Sequence, residues 1–272
     1  MTERSGAPAD GLEWFGREIS EALLHKGVTP QELADATGYE VPYVLKVSSG
    51  TALPSTAFAK GCDRYFGTSG WFTRLLNRLN ERGHPGWFVP YLKLEREAAR
   101  IEDYSNTFVM GMLQVPSYAE AAFRASHPRE SDDQIRARVD ARMRRREVMD
   151  TTTPPLLWII LHEAVLCTVV GSRAIMTSQL RHLVRQAASP HITLQVLRFA
   201  AGAPASSAAF TLLKPNDGPT VVYSEARELG HVNDSAAAVG NARTAYERLR
   251  ASALSPDLSV SFIREIAEEH SR

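Results

Sequence analysis

Apolar residues first recur at helical spacing over residues 12–26, where Leu12, Phe15, Ile19, Ala22 and Leu23 share one face and Gly27 follows as a stop. Thr29-Pro30-Gln31-Glu32 then reads as a capping box. Thr29 can accept from the Glu32 amide, Glu32 can reach back, and Pro30 stands where a missing N–H costs nothing. The second helix is short, because Thr37-Gly38 interrupts it and the apolar pattern resumes with Tyr39, Val41, Val44 and Val47. Two further apolar segments, 56–66 and 71–79, read as helices of the same small core.

Past residue 90 the pattern changes. Residues 95–110 and 117–125 read as helical, and 132–149 as one long charged helix that Pro154-Pro155 closes off. Short β-rich runs follow at 156–161, 192–199, 210–213 and 220–224, with a helix over 172–188 between the first two. His231 falls in a loop before the next helix, 235–253, and a last helix is capped by Ser255 with Pro256 at its first position. This succession implies an α+β layer.

These patterns divide the chain into a flexible tail over 1–11, a helical domain over 12–80, a breaker-rich junction over 81–90 and a larger domain over 91–272. Trp87, Phe88 and Tyr91 are expected to dock the two halves. No apolar run approaches the length of a membrane span and the N-terminus carries no secretion signal, so a cytoplasmic protein with no membrane partner is expected. Cys62 and Cys167 lie far apart, without a neighbouring cysteine or paired histidine at metal-ligand spacing. No disulfide framework, metal site or cofactor is indicated.

Counted from Pro30, a small residue falls at the fifth place (Ala34), glycine at the ninth (Gly38), and aliphatics at the fourth, fifteenth and eighteenth (Leu33, Val44, Val47). Two helices crossing at a sharp corner need these residue types there. Ser49-Gly50 and Pro54-Ser55 follow. In these residues the segment resembles the Xre family of helix-turn-helix regulators, which implies a five-helix bundle that docks on DNA. The run Trp87-Phe88-Val89-Pro90-Tyr91-Leu92 to Glu95, with Gly111-Met112-Leu113-Gln114 and Ser117-Tyr118-Ala119, resembles the large C-terminal domain of actinobacterial, antitoxin-like Xre-type regulators. That likeness extends through 161–166, 192–199, 210–213 and 221–225 to Ala253-Leu254-Ser255-Pro256, and the role of the domain is unassigned. The fold class expected is a mainly α N-terminal five-helix helix-turn-helix bundle followed by an α+β C-terminal domain for ligand sensing or interaction.

The resemblance implies DNA contacts from Gln31, Tyr43, Lys46, Ser49 and Thr51, with Glu40 able to accept from a cytosine amino group. The docking face departs from its family. Pro30 stands where a phosphate-contacting glutamine is common, and Glu40 and Val41 stand where serine and arginine are common. Residues 12–80 carry seven basic and seven acidic side chains, and the whole chain 31 of each, so no basic footprint marks a phosphate-binding face.

No metal-ligand spacing, phosphate loop or nucleophile motif appears, and no catalytic residue is assigned. The polar candidates for a ligand pocket are His162-Glu163 at the end of one strand and Tyr223 with Glu225 on another, beside Trp158. The two-residue spacing puts Tyr223 and Glu225 on one sheet face, although such groups can equally satisfy one another at a strand end. Six arginines crowd residues 136–146. They fit a grip on phosphate, an acidic partner or another subunit, and equally a solvated helix face whose arginine stems cover Val139 and Met143.

Three functions stay open. One is a homodimeric, DNA-binding transcriptional regulator whose C-terminal domain dimerises or senses an effector. Another is a repurposed helix-turn-helix scaffold that no longer binds DNA, its large domain binding or transforming a small molecule in a specialised metabolic pathway. The third is an antitoxin-like partner that captures a small protein encoded beside it.

Overall fold

In the computed structural model the described residues are 11–52, 54–81, 88–226 and 229–272, divided between two compact units, Met1–Arg82 and Gly83–Arg272. The expected tail, up to residue 10, and residues 82–87 of the expected junction, Trp87 included, lie outside the described residues.

The N-terminal unit contains α1 (Gly11–Lys26), α2 (Pro30–Thr37), α3 (Val41–Ser48), α4 (Thr56–Phe66) and α5 (Trp71–Glu81). Local chemistry starts α2: the Glu32 amide donates to Thr29 Oγ1 at 3.3 Å while the Thr29 amide donates to Glu32 Oε2 at 2.7 Å. Gly38 ends it at φ 75°, a left-handed conformation that costs a residue with a Cβ roughly 1 kcal/mol or more. The corner brings Leu33, Ala34, Val44 and Val47 into a core with Phe15, Ile19, Phe58 and Phe72. Asp63 joins α4 to α5, accepting from the Thr68 and Thr73 hydroxyls at 2.6 Å and from the Phe72 and Thr73 amides at 2.9 and 3.0 Å. Burial pushes its carboxyl up, but these donors outweigh burial and hold it below the usual range.

The C-terminal unit is an α+β layer around a six-stranded mixed sheet in the order β3-β2-β1-β4-β5-β6. α6 (Val89–Glu97) runs into β1 (Ala98–Ser105), where the sequence pattern predicts continuing helix. Ala-Ala-Arg-Ile-Glu-Asp-Tyr-Ser shows no two-residue alternation of apolar and polar, because a central strand is covered on both faces. Strand propensity spans only about 1 kcal/mol, whereas each fully buried Ile or Leu side chain contributes about 1.5–3 kcal/mol, so packing decides this segment. β1 pairs parallel with β2 (Leu156–His162) and antiparallel with β4 (Phe210–Pro215), placing Ile101 between Leu157 and Leu213.

α7 (Pro116–Ser126) and α8 (Asp132–Arg144) connect β1 to β2. The expected single helix over 132–149 tightens at Arg145 into a 3-10 turn, Arg145–Asp150. α9 (Glu163–Cys167) and α10 (Arg173–Gln186) lead to β3 (Ile192–Leu197), and β5 (Val221–Ala226) and β6 (Leu229–Asn233) extend the sheet beyond β4. His231, expected in a loop, lies in β6 opposite Ser224. Sequence periodicity misses this strand because an edge strand with exposed Leu229 has no alternating apolar face.

α11 (Ala236–Ser252) covers one face, with Tyr246 and Leu249 packed on Tyr104, Ile160, Phe210 and Leu212. α6, α7, α10 and α12 (Pro256–Ser271) cover the other, over Ile101, Leu157, Ile159, Leu213 and Val221. Phe88 and Tyr91, expected to dock the two halves, pack on Tyr223 within the C-terminal unit, the Tyr91 and Tyr223 rings lying 4.3 Å apart. Among the described residues no helix is long and apolar enough to cross a membrane.

Candidate functional site

The register of three antiparallel strands builds the floor of a site. Asp103 of β1 stands opposite Thr211 of β4, which stands opposite Tyr223 of β5. Ser105 and Glu225 continue the same face two residues further on. Over this row lies a cavity of about 600 Å³, roofed by α6, the end of α7, the arginine-bearing face of α8 and the loop 106–111. It lies within one unit.

Arginines form its charged wall. Arg138, Arg142 and Arg145 continue the stripe begun by buried Ile135 at three- and four-residue spacing, so they turn inward while the remainder of the arginine run points elsewhere. Arg145 donates through Nε and Nη2 to the two oxygens of Glu95, at 2.9 and 2.7 Å. Although burial opposes its charge, the Glu95 carboxylate more than compensates and pushes the Arg145 pKa up. Arg138 makes the same two-point pair with Glu130, at 2.7 and 2.6 Å.

Arg142 differs. Its Nη1 donates to Gln114 Oε1 at 2.9 Å, and its guanidinium lies 4.0 Å over the Phe123 ring. Burial first, and the neighbouring Arg145 second, push its pKa down to about 9. Its buried Nε has no hydrogen-bond partner among the described residues. Gln114, 2% exposed, is itself fixed by donating to the Val109 carbonyl at 2.6 Å. Gly111 permits the crowding: a Cβ there would lie 2.5 Å from Arg145 Nη1.

The floor is acidic but restrained. Asp103 accepts from the Ser105 hydroxyl at 2.6 Å and the Thr211 hydroxyl at 2.8 Å, yet burial still pushes its pKa up. The Tyr223 hydroxyl donates to Glu225 Oε2 at 3.2 Å, and burial, with Glu225 adding to it, pushes the phenol up.

Of the pocket residues expected from sequence, Tyr223 and Glu225 line this cavity and Trp158, His162 and Glu163 do not. Trp158 and His162 alternate onto the opposite sheet face. The Trp158 indole donates to Gln195 at 2.8 Å, and its carbonyl accepts from Tyr246 at 2.6 Å beneath α11. His162 Nδ1 accepts from the Ala164 amide at 3.2 Å, capping α9, and buried Glu163 accepts from the Phe199 amide at 2.7 Å. These groups satisfy backbone donors at a strand end. Sequence reasoning flagged the arginine run without singling out Arg142 and Arg145, and it missed Asp103, Glu95 and Gln114. The inward spacing of Arg138, Arg142 and Arg145 was the signal that could have singled out the two arginines.

In the N-terminal unit, Gln31 on α2, Glu40 at the N-cap of α3 and Lys46 on α3 are exposed, Gln31 donating to Asp35 at 2.8 Å. Three other expected contacts hold hydrogen bonds to the chain's own backbone, with Tyr43 half-buried and Ser49 and Thr51 exposed. Tyr43 stacks on Tyr39 with centroids 4.7 Å apart, and its hydroxyl accepts from the Ser55 amide at 2.8 Å. The Ser49 and Thr51 hydroxyls both turn back to the Lys46 carbonyl at 3.0 Å, ending α3. Among the described residues no group of three His, Cys, Asp or Glu side chains converges on a metal-sized site.

A family described as Domain of unknown function (DUF5753) matches residues 88–265, the span that holds the whole cavity. No curated protein and no solved structure matches the chain.

Proposed function

We propose a regulatory role for this chain, which belongs to the family of the Domain of unknown function (DUF5753): it is a DNA-binding transcriptional regulator whose C-terminal unit binds a small-molecule effector. The observation that carries the reading is the α2–α3 pair. Two eight-residue helices meet at left-handed Gly38, with Ala34 and Val44 buried inside the corner and Gln31, Glu40 and Lys46 exposed outside it. This is the arrangement a helix-turn-helix of the Xre type requires, with α3 as the recognition helix. Two copies would present paired recognition helices to half-sites one helical turn apart.

The test is a mobility-shift titration of the full chain on duplex DNA from its own upstream region at rising salt. Binding that weakens steeply with salt, and that Lys46→Ala weakens further, supports the reading. No shift at low salt overturns it.

A second reading, a helical scaffold that no longer docks on DNA beside a small-molecule domain, is favoured by one observation. The Tyr43, Ser49 and Thr51 hydroxyls already hold hydrogen bonds to the unit's own backbone, Ser49 and Thr51 at the exposed end of α3, in a segment whose basic and acidic side chains balance. Small-molecule binding together with no DNA shift at low salt selects it.

A further inference from the structure

We propose that the cavity over β1, β4 and β5 takes an organic monoanion, a carboxylate joined to an aromatic or aliphatic body, with Arg142 as its anchor. This rests on the reading of the C-terminal unit as an effector-binding domain.

Charge bookkeeping selects the anion. Three guanidiniums line the cavity, but Glu95 neutralises Arg145 and Glu130 neutralises Arg138, each through two hydrogen bonds. Arg142 makes no ion pair among the described residues: the Glu225 carboxylate attracts it from beyond ion-pair distance, and its hydrogen-bond acceptor is the neutral Gln114. A guanidinium presents its donors in the plane of a fork that matches a carboxylate. Phe123 occupies one face of that plane in Arg142, so acceptors must approach along its edge from the cavity that Arg142 lines, while Nε, unpartnered among the described residues, is buried on the side of Gly111. One unneutralised cation suits one negative charge. A phosphate dianion would meet too little positive charge, and the repulsion that the Glu225 carboxylate on the floor exerts on any anion would be doubled for it.

The rest of the lining selects the body. Phe88, Tyr91, Phe108, Phe123, Phe210 and Tyr223 surround the space. A volume of about 600 Å³ falls in the range that encloses ligands well beyond the size of acetate or phosphate. Gln114 and Phe123 hold the anchor in place before a ligand arrives, which limits the ordering entropy of binding. Gln114 is not free to relax: it is tied to the Val109 carbonyl, and Gln179 ties the same turn from below by donating to Leu113 at 2.7 Å.

The experiment is isothermal titration calorimetry and thermal shift on the full chain with phenylacetate, indoleacetate and decanoate. Each acid is compared with its own primary amide, and inorganic phosphate is run alongside. At least one acid is expected to bind about tenfold or more tightly than its amide and than phosphate, and Arg142→Gln is expected to bring that acid to the level of its amide. An amide that binds as well as its acid, phosphate that binds more tightly than every acid, or no acid bound at millimolar concentration overturns the proposal. The acid–amide comparison uses the unaltered protein, so it decides even if Arg142→Gln fails to fold. A DNA mobility shift with and without saturating acid separates the two claims. Acid binding that leaves DNA affinity unchanged sinks the effector reading and leaves the ligand class standing. A DNA shift with no acid bound does the reverse.

Discussion

Arg145 and Glu95 meet through two parallel hydrogen bonds of 2.9 and 2.7 Å, with Glu95 only 1% exposed. Removing the carboxylate would leave a buried guanidinium uncompensated. Glu95→Gln is therefore expected to lower stability by about 3–5 kcal/mol, read from chemical denaturation. In whatever fraction remains folded, a second unneutralised guanidinium should raise affinity for phosphate relative to the carboxylic acids.

Gly111→Ala is expected to disturb the same pair from the other side. Its Cβ would lie 2.5 Å from Arg145 Nη1 and 3.6 Å from Arg142 Nε, and Arg145 cannot swing away without breaking its bonds to Glu95. A loss of about 1–3 kcal/mol is expected, seen as a lowered thermal midpoint with helix content retained. An unchanged midpoint would mean that Arg145 has room to move.

His182 of α10 is 7% exposed, and its Nε2 has no hydrogen-bond partner among the described residues. Burial, reinforced by Arg146 and Arg185, pushes its pKa down from 6.5 to about 4. The unfolded chain therefore takes up a proton in this interval before the folded chain does. Stability is fully present above pH 6.5 and declines as pH falls toward 4. The slope from this group is at most about 1.4 kcal/mol per pH unit. Denaturation midpoints across that window should show the decline, and His182→Gln should flatten it.

Tyr43→Phe separates a structural from a DNA-contacting role. The variant leaves the Ser55 amide without its 2.8 Å acceptor, so a stability loss of about 1–2 kcal/mol is expected. On the proposed DNA-binding reading, affinity for DNA should stay within about twofold of the parent, while Lys46→Ala is expected to lower it several-fold by removing an exposed positive charge from α3. The reverse pattern would assign Tyr43 a direct DNA contact.

The helix starts were legible because capping joins residues three apart and needs nothing from the rest of the chain: Thr29 with Glu32, Ser55 with the Phe58 amide, and Ser255 ahead of Pro256. The small core around Ala34 and Val44 was legible for a related reason, since helical spacing alone brings its members onto facing stripes. Strands β2 to β5 were readable from their β-branched and aromatic runs.

What only the tertiary structure decided is where residues distant in sequence meet. β1 became a strand because β2 and β4 bracket it, against a local pattern that reads as helix. The arginine run became a cavity wall because Glu95, some fifty residues earlier, and Gln114, some thirty earlier, fold against it. Trp158 and His162 left the expected pocket because sheet register assigns faces, and a face belongs to the packed layer above it. Capping and periodicity act within a few residues of chain, whereas burial of charge depends on the three-dimensional company a side chain keeps, which no local pattern encodes.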